Sequence, residues 1–153
     1  MTEPQKLPAG IIAIIAFHLA SLVLWFFGQT LAVIDYDMVA GWGLQAPRAE
    51  TEPVVVAVNR AVGLTDTLIM LPLFVPAAIG LLRRRLWGAV CSWLVFGITL
   101  YWPVIFWTSE AFYARAGMLH APLSVTTIVV PGAIWAFAAW GAWYLYRRRA
   151  LFG

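Results

Sequence analysis

The sequence predicts an all-α integral membrane fold, a four-transmembrane-helix bundle with both termini cytoplasmic. Three observations carry that prediction. Of 153 residues, 63% are hydrophobic and only 11% charged, against an apolar share nearer ~45–50% in soluble domains. Four apolar runs, Ala9–Ile34, Val58–Leu82, Leu86–Thr108 and Leu123–Tyr146, each have about 20 residues or more and so can cross a ~30 Å hydrocarbon core. Two arginine triplets, Arg83-Arg84-Arg85 and Arg147-Arg148-Arg149, close the second and fourth runs.

The first run, 9–34, is expected to stay in the mature chain. It is longer than the ~7–15-residue apolar core of a signal peptide, and Thr30-Leu31-Ala32 is a poor cleavage site. An outer loop, 35–57, follows with Asp35, Asp37, Trp42, Pro47, Glu50, Glu52 and Pro53. A connector of that length in so small a protein reads either as a lid over the outer end of the bundle or as a plain solvated linker. The second run, 58–82, holds Asp66. The loop 83–85 is entirely basic. The third run, 86–108, leads to a shorter outer loop, 109–122, with Glu110, Arg115 and His120, and the fourth run, 123–146, ends at the second triplet.

With an even number of spans, Lys6 and both triplets share one side. That side carries seven of the ten Lys and Arg residues, leaving Arg48, Arg60 and Arg115 opposite. The positive-inside rule assigns the basic side to the cytoplasm, and a bacterial inner membrane is the expected location. Residues 1–153 form a single membrane domain. The two halves show no repeat beyond what the charge rule imposes, so an inverted-repeat transporter is not supported.

Several chemistries are excluded. Cys91 is the sole cysteine, so no intrachain disulfide exists. The net charge of +3 comes largely from the triplets and does not indicate nucleic acid. No His/Cys grouping has metal-ligand spacing, and Asp35-Tyr36-Asp37 offers too few oxygens for a hard cation. There is no nucleophile elbow, P-loop or dinucleotide fingerprint. His18 and His120 lie at opposite ends of the bundle, which argues against haem ligation. No cofactor, metal or catalytic residue is assigned.

The positive signal is polar residues inside the spans. A carboxylate at mid-membrane costs roughly 2.5–3.5 kcal/mol on insertion scales and normally faces a bundle interior, a partner or a water-filled cavity. Asp66 is the acid deepest in any run. At 3.6 residues per turn, His18, Ser21, Trp25 and Gln29 share a stripe of the first helix, Asn59, Gly63, Asp66 and Met70 one of the second, and Trp93, Gly97, Tyr101 and Val104 one of the third. Thr126 and Thr127 open the fourth. Gln29, Tyr101 and Thr126 lie at or above the depth of Asp66, which predicts convergence in the outer half. His18 lies in the inner half and reads as a packed neutral histidine. Arg60 falls on a different face from Asp66. Pro72, Pro76, Pro103 and Pro131 are expected to kink three helices and open space between them. The candidate ligand-binding residues are Asp66, Tyr101, Gln29, Asn59 and Trp102.

The stretch from Asp66 through Leu71-Pro72-Leu73-Phe74 to Pro76 resembles the second helix of the EXPERA group, which includes emopamil-binding sterol isomerase and the sigma-2 receptor. The four spans, long first outer loop and short basic loop are similar too. The resemblance implies a bundle enclosing a pocket for sterols or lipophilic amines, with Asp66 as the pocket acid. The third helix departs from that pattern, offering Tyr101 and Trp102 but no mid-span acid or histidine.

The leading expectation is a membrane protein whose outer-half pocket binds a small lipophilic or cationic ligand through Asp66. The alternative is a non-catalytic accessory subunit of a larger respiratory or photosynthetic membrane complex. The third is an enzyme using Asp66 as acid or base. Membrane lipids are expected partners in every case. A homodimer or a larger complex is left open.

Overall fold

The computed structural model describes residues 6–152, which are mostly helical with no strand among them. In chain order the helices are α1 (Ala9–Ile34), the short α2 (Tyr36–Gly41), α3 (Pro53–Leu82), α4 (Leu86–Arg115) and α5 (Val125–Arg147). All but α2 are long and apolar enough to cross a membrane.

Two boundaries differ from the expectation by more than two residues. The second spanning helix begins at Pro53 rather than Val58. Proline suits the first helical turn, where its missing N–H has no partner to lose and its fixed φ is already helical. The third runs on to Arg115 rather than ending at Thr108, because Ser109–Arg115 contains neither Gly nor Pro. It stops beside Gly117, whose φ of +67° is left-handed. The fourth starts after Ser124, which forms a reciprocal capping box with Thr127.

The first outer connector is folded rather than bare. Asp35 caps α2 by accepting from the Met38 N–H. Arg48 pairs with Asp37 at 2.8 Å and lies over the Tyr36 ring. The Glu52 N–H donates to the Leu119 carbonyl at 2.7 Å, tying the two outer connectors together.

Packing falls into three tiers. At the arginine end, Ile11, Ile14, Leu81, Ala89, Phe96, Ala138 and Leu145 draw all four long helices together, and Phe152 seals the base. Gly80 and Gly88 face each other across α3 and α4 so closely that neither has room for a Cβ. Arg84 adopts a positive φ of 50° in the turn between them and donates to the Lys6 carbonyl. Lys6 and both triplets thus share one end. The middle tier is Trp25, Met70, Phe74 and Val95. The outer tier, Ala32, Tyr36, Val39 and Val56, belongs to α1, α2 and α3 only. The outer halves of α4 and α5 take no part in it.

One predicted face is wrong. Gly97, Tyr101 and Val104 point outward, and α4 instead buries Gly88, Ala89, Ser92, Val95, Phe96, Thr99 and Pro103. Small residues decide this, because they let α4 approach its neighbours. The hydroxyls of Ser92 and Thr99 donate to carbonyls of their own helix, Gly88 and Val95, and so can be buried without an outside partner.

Candidate functional site

Where the outer halves of α4 and α5 stand away from α1 and α3, a cavity of about 540 Å³ opens. That lies within the range of small-molecule sites, about 300–1,000 Å³. Its deep wall is apolar and aromatic, with Trp25, Val62, Trp102, Phe106, Val130 and Ile134. Trp102 stacks on Phe106 and meets Trp25 edge-on. Gln29, Asn59, Ser109, Glu110, Tyr113, His120, Thr126 and Thr127 supply polar groups to the lining. Gly43 to Ala46 form part of the wall, and the Gln45 amide donates to the Gly28 carbonyl at 3.0 Å. The tip of the first outer connector is therefore tethered to α1 beside the cavity, as a lid would be.

Of the five candidate residues, Gln29, Asn59 and Trp102 line this cavity. Tyr101 does not: it is 64% exposed on the outer surface of α4. The helical phase that brings Trp102 inward turns Tyr101 away. Asp66 is only 8% exposed and sits behind the cavity wall rather than in it. Its Oδ2 accepts from Trp25 Nε1–H at 3.1 Å. Trp25 thus presents its ring to the cavity and its N–H to the carboxyl beneath. Arg60 is engaged elsewhere, donating to the Val33 carbonyl at the end of α1.

The helices around Asp66 are locally widened. Phe26–Thr30 of α1 and Asp66–Met70 of α3 are π-helical turns, a form that often marks functional sites. They sit side by side. The Thr67 hydroxyl donates to the Gly63 carbonyl at 2.7 Å, so at the 2.9 Å contact between hydroxyls Thr30 must donate to Thr67. Gly63 lies against the Gln29 carbonyl, and only a glycine allows that approach without displacing α1.

His18 lies elsewhere, as its sequence depth suggests. It is fully buried among Phe17, Phe74 and Phe96. Because the Ser92 hydroxyl gives its proton to Gly88, the 3.0 Å contact requires His18 Nε2–H to donate to Ser92 Oγ. Nδ1 is then a lone-pair acceptor, and it has no hydrogen-bond partner.

Glu110, Ser109, Tyr113 and His120 were missed as lining residues. The signal was present: Trp102, Phe106, Ser109 and Tyr113 continue one helical stripe once α4 is allowed to run to Arg115. Glu110 is the only carboxylate in the cavity wall, and no Lys or Arg lines it among the described residues. No group of three or more His, Cys, Asp or Glu side chains suited to a metal occurs among those residues.

The class that emerges is a helical bundle whose four long helices are each long and apolar enough to cross a membrane, with a cavity in the half remote from its arginine end. Comparison of the chain with protein families, with curated proteins and with solved structures finds no match.

Proposed function

We propose that this protein binds a small lipophilic cation in its outer cavity, with Glu110 as the charged anchor and Trp25, Trp102 and Phe106 as the apolar floor. One observation carries the reading: a cavity of ligand size has an aromatic wall, a single carboxylate and, among the described residues, no Lys or Arg, with His120 as its one titratable base. Aromatic faces attract cations through the ring quadrupole, and a carboxylate beside a low-dielectric wall attracts them more strongly than it would in water. Gln29, Asn59 and Thr126 supply hydrogen bonds that orient a polar head. Asp66 serves in this reading as the support that holds Trp25, not as the anchor. The arginine end faces the cytoplasm of a bacterial inner membrane, supported by the charge asymmetry, so the cavity opens toward the far side. A relation to the EXPERA group forms part of the proposal, supported by the four-span layout and the Asp66–Pro76 stretch.

The test is equilibrium binding of tetraphenylphosphonium to the protein in lipid nanodiscs, with tetraphenylborate as the anionic control of similar shape. The cation is expected to bind saturably and the anion not to bind. Glu110→Gln is expected to weaken cation binding about tenfold, the scale of one partly buried charge–charge contact. Asp66→Asn keeps an acceptor for Trp25 and should change it less than about threefold. Equal binding of both ions, or a larger loss at Asp66 than at Glu110, would overturn the assignment.

A further inference from the structure

The end of α5 carries a second hollow, at the opposite end of the bundle from the cavity. It measures about 330 Å³ and is lined by Trp143, Tyr144, Arg147 and Arg148. The four residues form two adjacent rails along the last turn of the helix. Trp143 and Arg147 make one, with the guanidinium 5.7 Å from the ring centroid. Tyr144 and Arg148 make the other, at 6.0 Å.

We propose that this hollow is a binding site for the headgroup of an anionic phospholipid. Charge is the first reason. Two arginines meet here at an end that also carries Arg83, Arg85 and Arg149, and no acid belongs to that end among the described residues. Geometry is the second. A guanidinium over an aromatic ring uses its face for that contact, which leaves its in-plane N–H groups free to take phosphate oxygens as a fork. Position is the third. The hollow lies where an apolar span ends, with aromatic rings on the membrane side and arginines beyond them, matching the order of acyl chain and phosphate in a lipid. Basic pockets at such depth are where lipid headgroups bind.

The aromatic wall is held in place before any lipid arrives. Tyr144 packs its ring directly on Gly10 of α1, where a Cβ would push the ring aside. On its other side the ring meets Trp140, which in turn meets Phe137. Trp143 by contrast is exposed toward the lipid. One side of the site is therefore rigid and the other open for an acyl chain to pass.

The experiment is lipid retention by the purified protein, read by native mass spectrometry after titration with phosphatidylglycerol or phosphatidylcholine. The unaltered protein is expected to retain phosphatidylglycerol at least tenfold more tightly. The double variant Arg147→Gln/Arg148→Gln is expected to lose that preference. Arg83→Gln/Arg85→Gln removes the same charge from the same end and is expected to keep it. If the glutamine pair at 147 and 148 fails to fold, Arg147→Lys/Arg148→Lys preserves charge without the planar fork, and several-fold weaker retention is expected. Equal loss in both glutamine pairs, full retention by the lysine pair, or no preference between the two lipids would overturn the site.

Discussion

The two ends of the bundle solve the same packing problem in opposite ways. At the arginine end all four long helices meet around small residues, and Gly80 and Gly88 bring α3 and α4 into backbone contact. At the outer end α1, α2 and α3 form a tier of their own while α4 and α5 stand apart. Buried polar groups follow the same division. His18 sits in a closed aromatic shell, fully buried, with Ser92 as its hydrogen-bond partner. Asp66 lies one side chain away from open space, with Trp25 between. The difference separates a clamp from a container: the inner half holds the helices together, which lets the outer half stay open.

The most severe break in that contrast is expected at the clamp. Gly88→Val places atoms inside the α3 backbone, where no flexible side chain can yield. The cost should reach or exceed the upper end of the ~1–3 kcal/mol typical of overpacking, and the yield of monodisperse protein in mild detergent measures it. Normal yield and unchanged thermal stability would remove the clamp from the account.

A smaller and more discriminating effect comes from paired alanine substitutions. His18→Ala empties a fully buried, close-packed site and should lower stability by about 2–4 kcal/mol, as other large core truncations do. Asn59→Ala, on the half-buried cavity wall, should cost below about 1 kcal/mol. Reversible unfolding in mixed micelles gives both values. Similar losses at the two positions would mean that the halves do not differ in tightness.

The least expected change is at Tyr36. Its hydroxyl is buried without a hydrogen bond of good geometry, while the Asn59 side chain and Arg48 act on it to favour the ionised form less strongly than burial opposes it. Burial raises the phenol above its ordinary value of 10.0, so the fold favours the neutral form. Its contribution is whole below pH 10 and disappears as pH rises through the raised value. Tyr36→Phe should therefore be neutral or slightly stabilising near pH 7, and it should soften the loss of stability on the alkaline side. Stability curves against pH for both proteins make the comparison, and a phenylalanine variant as sensitive above pH 10 as the parent would rule the phenol out.

Much of the frame was readable without coordinates. The four apolar runs correspond to the four long helices, and the arginine triplets do mark a shared end. The stripes on α1 and α3 correctly grouped Trp25 with Gln29 and Asp66 with Met70. The stripe on α4 failed at Tyr101. An aromatic residue suits a lipid-facing surface as well as a core, so its chemistry does not choose a face. The extension of α4 through Ser109–Arg115 carried Glu110 out of a presumed loop and into the cavity wall. Nothing local announced that Trp25 would stand between Asp66 and that cavity.

The sequence by itself determined how many helices are long and apolar enough to span, where basic residues cluster at their ends, and that Asp66 must be sheltered. Those properties are sums over single segments: the transfer of a helix into hydrocarbon depends on its own residues and length. Only the tertiary structure decided which faces meet and which acid lines the cavity. Inside a bilayer, lipid and protein interior are equally apolar, so hydrophobicity cannot rank one face above another. Close approach ranks them, and approach is a property of pairs such as Gly80 with Gly88 and Gly63 with Gln29, which no single segment contains.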